Sequence, residues 1–327
     1  MQLRAKITGV ASYFPEKKLG NQELEKMVDT NDAWIVERTG IRERRIAHAQ
    51  ESAGSMGAEA SKRLLEQLGV SPEEIDLIIV TTVTPDHPFP ATASVIQTEI
   101  GATRAWGFDI SAACSGYLYG LEVARGMVES ARSKKLLLVS SEKMSSIVDY
   151  QDRSTCILFG DAGTASLIEA SEDESGILES IMRLDGTGLP SLYMPAGGSR
   201  LPTSEETVKA RKHFAVQDGR AVYKRAVVDM AEISAEVLER AKVPIDQVRW
   251  FIPHQANLRI IESAAKRLNL PMDRVAVNID RYANTTSATI PSCLAEKIEE
   301  GTAKKGDLIL MASFGAGFTW GATLIRL

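Results

Sequence analysis

The chain has 327 residues, 44% of them hydrophobic and 25% charged, with a formal net charge of −5. That is the make-up of an ordinary globular protein with length for about two domains. The negative balance argues against a general nucleic-acid binder, and no apolar run approaches the roughly 20 residues of a membrane-spanning helix. Cys114, Cys156 and Cys293 lie far apart with no CxxC pair, which excludes a disulfide framework and a cysteine zinc site and points to a reducing cytoplasm.

The first stretch, MQLRAKITGVASYFP, reads as a strand near Leu3–Val10 and a turn; it has no apolar core or cleavage site of a signal peptide. A helix is expected near Asn21–Val28, with Asn21 as cap and Leu24, Met27 and Val28 as its apolar face. The segment TNDAWIVERTGIRERRIA crowds four arginines around Trp34. It reads equally as a solvated turn or as an aromatic and guanidinium surface for a nucleotide. An amphipathic helix Ser55–Leu68 stops at Gly69, and Ile75–Thr82 is a buried strand. TPDHPFP holds three prolines in seven residues and must be an irregular loop. A helix Ala93–Ile100 follows.

Next comes AWGFDISAACSGYLYGLEVARG: a short strand, a run of small residues and a helix, with Cys114 at the corner. Unpaired N–H groups and the positive end of the helix dipole favour a thiolate there. Strands at Lys135–Ser140 and Thr164–Glu169 continue an α/β alternation with parallel-type strands. The polar Ala170–Gly176 makes the best boundary, dividing the chain into 1–171 and 172–327. The second half gives strands around Ile177–Arg183, a Gly/Pro-rich loop DGTGLPSLYMPAGGSRLP, a long helix Gly219–Ala241, a strand Val248–Ile252 and a helix Asn257–Leu268. A strand Val275–Ile279, a helix Thr289–Glu300 and strands Leu308–Ser313 and Thr319–Arg326 close the chain.

The halves repeat the same order. IDLIIVTT matches VRWFIPHQ, WGFDISAAC matches VAVNIDRYAN, and KKLLLVSSE matches GDLILMASF. Cys114 lies six residues past Phe108, and Asn284 six past Asn278. Two five-stranded units related by a pseudo-twofold would set these two residues at equivalent strand ends, with His254 leaving the neighbouring strand at PHQAN. Ligand sites in such sheets lie outside the carboxyl ends of the strands. Taken singly, His254 reads as a core histidine and Asn284 as a turn residue; together they face a helix-start cysteine. No Walker loop is present, Gly315–Gly317 precedes a strand rather than a helix, and the four histidines have no metal-ligand spacing.

AACSGYLYGL, PHQAN, YANTTSATIP and FGAGFTWGA, with RTGIRER, GIRERRIA and FGDAGTA, resemble the signatures of β-ketoacyl-acyl carrier protein synthase III, of the thiolase superfamily. The resemblance runs end to end. It implies a thiolase-like fold of two pseudo-twofold α/β halves with mixed sheets in an αβαβα arrangement. It also implies a decarboxylative condensation of a short acyl-CoA, acetyl-CoA foremost, with malonyl-acyl carrier protein through an acyl-cysteine, initiating fatty acid synthesis. Acyl-CoA is then a substrate, and neither cofactor nor metal is implied.

By the same resemblance Cys114 is the nucleophile, and His254 and Asn284 hold the malonyl-derived enolate. The N–H groups of Cys114 and Ala316 form an oxyanion hole; Ala316 stands where some relatives have glycine. Phe314 is an apolar wall that favours loss of CO2. Trp34 and Arg153 sandwich the adenine of CoA, with Thr30 beside the base and Arg38 near the phosphates; Gly219, Asn257 and Tyr223 line the pantetheine tunnel. Phe89 reaches across a homodimer interface to floor the partner's acyl pocket. Arg259 is the docking arginine for the acidic carrier protein; Lys266 shares its helix face, and Lys224 and Arg225 extend the patch. Cys293 is expected in the core.

Overall fold

A computed structural model describes residues 3–327 of the chain. Its first sheet has the order Arg4–Tyr13, Ala162–Ser171, Lys135–Glu142, Leu77–Thr81, Trp106–Ile110. The last three strands are mutually parallel; Ala162–Ser171 runs antiparallel to both its neighbours. The sheet is therefore mixed, where the α/β alternation alone suggested parallel strands. The second sheet, Val248–Pro253, Leu308–Gly315, Thr319–Arg326, Gly176–Leu184, repeats that order from the other end, without a counterpart of Trp106–Ile110.

Buried apolar runs such as Leu77–Thr81 and Leu308–Gly315 need cover on both faces. Between the sheets lie the helices Gly116–Glu129 and Thr289–Glu299, whose Tyr117, Leu121, Ile290 and Leu294 pack with Ile79 and Leu138 of one sheet and Ile309 and Met311 of the other. Outside the first sheet lie Ala53–Leu68 and Thr92–Ile100; outside the second lie Gly219–Ala241 and Leu258–Arg267. Five layers, α-β-α-β-α, result. Cys293 is buried in the middle layer, as expected.

Four local expectations change. The strand expected at Val275–Ile279 shrinks to one bridge between Phe251 and Val275. The side chain of Gln255 takes over the ladder bonds, donating to the carbonyl of Ala276 (3.2 Å) and accepting from the N–H of Asn278 (3.1 Å). The second sheet thus has four strands. Asn21 does not cap: it is buried, donates to Asp32 (2.8 Å) and accepts from the fully buried Arg44 (3.0 Å), and its helix ends at Leu24. The Trp34 segment is a true helix, Asp32–Thr39, capped by the Asn31 side chain accepting from the Trp34 N–H (2.8 Å). Gly40 closes it at φ +80°, where an added Cβ would lie 2.6 Å from Cβ of Leu258, so the helix seats directly on Leu258–Arg267.

The pseudo-twofold also pairs different residues from those the count of six suggests. Ala113 (φ 47°) before Cys114 corresponds to Thr286 (φ 53°) before Ser287, each in a 3-10 turn that opens a middle-layer helix. The repeat mate of Cys114 is Ser287, not Asn284.

Candidate active site

Cys114 sits in the turn Ala113–Ser115, and the second sheet clamps that turn. Ser313 Oγ donates to the Cys114 carbonyl (2.7 Å), Thr319 Oγ1 to the Ala112 carbonyl (3.1 Å), and Ser115 Oγ to the Thr319 carbonyl (3.1 Å). Gly315 lies so close that a Cβ there would stand 2.8 Å from the Cys114 nitrogen, so only glycine lets the strand end abut the turn. Two of these three hydroxyls, those of Ser313 and Thr319, come from the half of the chain that does not contain Cys114.

Cys114 lines two cavities. One, of about 200 Å³, is lined by Cys114, His254, Asn284 and Phe314 at its inner end and by Gly219, Tyr223 and Asn257 further out. The other, of about 160 Å³, is almost wholly apolar, walled by Ala113, Ala316, Met144, Ile147 and Leu192. Residues up to 200 apart in sequence thus share one chamber, Cys114 coming after the strand Trp106–Ile110, His254 directly after a strand of the second sheet, and Asn284 after the short helix Ile279–Tyr282. His254 follows Val248–Pro253, and its N–H binds the Ala312 carbonyl of the adjacent strand (2.8 Å). Asn284 is held through its main chain by Leu158 and Gly160 (2.9 and 3.0 Å).

The donors of the chamber are oriented. Oδ1 of Asn284 accepts from the N–H of Thr286 (2.8 Å), which turns the Nδ2 end forward. Nδ1 of His254 lies 2.7 Å from Oγ1 of Thr289, while its buried Nε2 has no protein partner. Burial pushes the imidazole down to about 3, so it is neutral at physiological pH. Burial likewise pushes the Cys114 thiol up to about 12, and the negative charge of Glu142 adds to the rise. The helix start therefore does not make a standing thiolate: loss of hydration outweighs it. Phe314 is buried against Phe318, ring centroids 4.9 Å apart.

At the outer end, the Arg153 guanidinium lies 5.0 Å from the Trp34 ring centroid and Arg38 5.8 Å from it. Arg153 also donates to the Asp29 carbonyl (3.0 Å). The pair is closed on itself, so a flat base enters only by displacing the guanidinium. Thr30 leaves a buried Oγ1 unpartnered just before the helix cap. Asn257 joins this cluster to the chamber mouth, donating to the Arg38 carbonyl (2.9 Å) while its oxygen caps Leu258–Arg267.

Phe89 lines neither cavity and is 86% exposed on this chain. Of the basic residues, Arg259, Lys224 and Lys266 are exposed. Arg225 is not free: it is paired with Asp185 (3.0 Å) and Asp229 (2.8 Å), which removes it from a docking patch. Sequence reasoning missed Thr289, Glu142 and the walls of the apolar cavity. Only the phrase SSE at a strand end hinted at Glu142, and nothing periodic marks the cavity walls, which come from separate loops.

Two family models match: the 3-oxoacyl-[acyl-carrier-protein] synthase III description over residues 108–186 and its C-terminal counterpart over 238–327. The chain is 50% identical over 326 residues to the β-ketoacyl-[acyl-carrier-protein] synthase III of Solibacter usitatus, covering 99% of this chain and 98% of the relative. It is 47% identical to the synthase III 2 of Bacteroides thetaiotaomicron, with 99% and 97% covered. Among solved structures, the β-ketoacyl-[acyl carrier protein] synthase III of Thermus thermophilus superposes with a TM-score of 0.93 at 40% identity, over 98% of this chain and 99% of that one.

Proposed function

The chain belongs to the β-ketoacyl-acyl carrier protein synthase III family, and on that premise we propose how its residues divide the work. The enzyme is an acyltransferase that condenses an acyl-CoA with malonyl-acyl carrier protein and so initiates fatty acid synthesis. The observation that carries the assignment of roles is the position of Cys114 between a polar-mouthed tunnel and an apolar cavity.

In the first half-reaction the CoA adenine replaces Arg153 on Trp34, the pantetheine lies along Gly219, Tyr223 and Asn257, and the acyl chain enters the apolar cavity. The sulfur attacks the thioester carbonyl, whose oxyanion is held by the N–H groups of Cys114 and Ala316; one such donor is worth about 3 kcal/mol in other enzymes. The thiol proton ends on the departing CoA sulfur, so this step needs no net acid or base. A sulfur that resists ionisation is compatible with that balance.

Malonyl-acyl carrier protein then uses the same tunnel. The bond to the carboxylate breaks, its electron pair moves into the thioester carbonyl, and the enolate oxygen is held by Nε2–H of His254 and Nδ2 of Asn284. Both are neutral donors, so neither is lost to titration at physiological pH. Phe314 keeps the departing carboxylate in apolar surroundings that favour CO2. The enolate carbon attacks the acyl carbonyl, Cys114 leaves as thiolate and takes one proton from water. Substrates and that proton complete the balance, and no cofactor enters it.

The acting form is a homodimer in this reading. Trp106–Ile110 is an edge strand with Trp106 53% exposed, and Phe89 projects from the neighbouring loop, features that a second copy would cover. Arg259 and Lys224 serve the acidic carrier protein, acetyl-CoA is the favoured primer, and three free cysteines support a cytoplasmic setting. The test is intact-mass detection of an acyl adduct on Cys114 from a panel of acyl-CoAs, followed by its discharge with malonyl-acyl carrier protein or malonyl-CoA. An adduct discharged by the carrier-protein form is expected; a Cys114→Ala variant that still turns over would overturn the assignment.

A further inference from the structure

The two donors that face the chamber are turned by one short segment. Thr286 sends its N–H to Oδ1 of Asn284 (2.8 Å), and Oγ1 of Thr289 lies 2.7 Å from Nδ1 of His254. The Oδ1 end of Asn284 and the Nδ1 edge of His254 both face the turn. What remains for the chamber is the other end, Nδ2 of Asn284 and the unpartnered Nε2 of His254.

For Asn284 the direction is settled by chemistry, because a backbone N–H can only donate. For His254 it depends on where Thr289 sends its single proton. Two acceptors lie in reach, Nδ1 of His254 at 2.7 Å and the Thr286 carbonyl at 3.1 Å. A separation near 2.7 Å is the usual length for a hydroxyl donor, whereas a ring N–H giving to oxygen prefers about 2.9–3.0 Å. The shorter contact thus has the hydroxyl as donor and the ring nitrogen as acceptor. A neutral imidazole has only one proton to place.

We propose that Thr289 is a positioning residue: its hydroxyl donates to Nδ1 of His254 and so holds the ring proton on Nε2, beside Nδ2 of Asn284. The reverse arrangement would aim a lone pair at an enolate oxygen, two concentrations of negative charge face to face. This inference rests on the reading of His254 as an enolate donor only for its kinetic consequence; the placement of the proton stands on geometry. It also separates the half-reactions. A histidine with its proton on Nε2 is no base for the thiol, so Thr289 matters to decarboxylation and not to acyl loading.

The experiment uses the full chain labelled with 15N-histidine, the His254 signals being assigned by their loss in His254→Gln. In the wild type Nε2 is expected to carry the proton, and the Nδ1 resonance to lie far downfield. Thr289→Val keeps the volume of the buried side chain but removes the donor, and the ring is expected to become a mixture of tautomers. Thr289→Ser restores the pattern. In the kinetic arm, malonyl decarboxylation by the acyl-enzyme falls about tenfold to a hundredfold in Thr289→Val, the range seen when the partner behind a metal-bound histidine is lost. It recovers in Thr289→Ser, while acyl loading of Cys114 stays within about twofold of the wild type. A wild-type ring protonated on Nδ1, or an unchanged tautomer in Thr289→Val, overturns the proposal. A changed tautomer with unchanged decarboxylation supports the Thr289 bond and removes His254 from the enolate site instead.

Discussion

Glu142 ends a central strand, is fully buried and has no cation opposite it. Its Oε2 accepts from the Val83 N–H (3.0 Å), Thr84 Oγ1 (2.9 Å) and Thr82 Oγ1 (3.2 Å), and its Oε1 lies 2.9 Å from Ser287 Oγ. Burial pushes the carboxyl from the ordinary 4.5 up to about 7, against those four donors. At about 1.4 kcal/mol per pH unit, the rise amounts to about 3 kcal/mol of proton-linked stability. The sign follows from the direction of the shift. Between about pH 4.5 and 7 the folded chain keeps a proton that the unfolded chain has released, so this contribution is lost as pH climbs through that window and is gone above it. His254 works the other way: burial lowers it from 6.5 to about 3, so its contribution is gained as pH climbs between those values.

Glu142→Gln isolates the carboxyl, because the histidine contribution is common to both proteins. The amide oxygen can keep the three contacts to residues 82–84, and the NH2 can give to Ser287. Urea unfolding of both proteins from pH 5 to 8 is expected to show the variant gaining on the wild type by up to about 3 kcal/mol, most of it below pH 7. The same substitution removes a negative charge that raises the Cys114 thiol, so alkylation of Cys114 should begin at lower pH. A stability difference that is flat with pH, together with an unmoved alkylation profile, would refute the picture of a buried carboxyl titrating beside the nucleophile.

Two further outcomes follow from the outer parts of the site. Trp34→Ala removes the ring under Arg153 and is expected to raise KM for acyl-CoA roughly tenfold, within the range of a cation–π and stacking contact. The value of kcat should change less than about twofold, and steady-state kinetics that show the reverse would take the adenine away from this cluster. Sedimentation of the wild-type chain should give twice the chain mass, and Trp106→Lys on the open edge strand should shift it toward one. A fully active monomer would leave Phe89 without a partner to serve.

Much of the fold is written in local pattern. Buried strands such as IDLIIVTT and LILMASF declare themselves by unbroken apolar runs, and Gly69 stops its helix in the left-handed conformation (φ 63°) that its position suggested. The Trp34 helix carries equally local marks, Asn31 ahead of it and Gly40 behind it, although four nearby arginines are equally the composition of a solvated turn. What local pattern does not carry is substitution of one bonding partner by another from afar. Gln255 replaces a strand's ladder bonds with a single side chain, so VAVNI has the composition of a strand and the hydrogen bonds of a loop. Glu142 and Thr289 are invisible for the same reason: each matters through a residue more than thirty positions away.

The repeat itself explains why one of the two equivalent turns opens onto the cavities and the other does not. The turns Ala112–Gly116 and Thr285–Thr289 share their backbone course, with positive φ at Ala113 and Thr286 and near-helical angles at Gly116 (−50°, −48°) and Thr289 (−64°, −46°). They lie back to back: an added Cβ on Gly116 would stand 3.1 Å from Cβ of Ser287. In one turn the central residue is a cysteine open to two cavities. In the other it is Ser287, within hydrogen-bond reach of Glu142 and of the Thr81 carbonyl, and lining neither cavity. Relieved of chemistry, the second turn is free to orient, and its flanking residues Thr286 and Thr289 aim Asn284 and His254. Strained backbone at the two positions thus serves different ends: at Ala113 it presents a sulfur, and at Thr286 it directs an N–H at the side chain of Asn284. A spacing count along the sequence matches Asn284 to Cys114 because it sees the repeat but not the turn, and only the backbone angles show which residue took over which task.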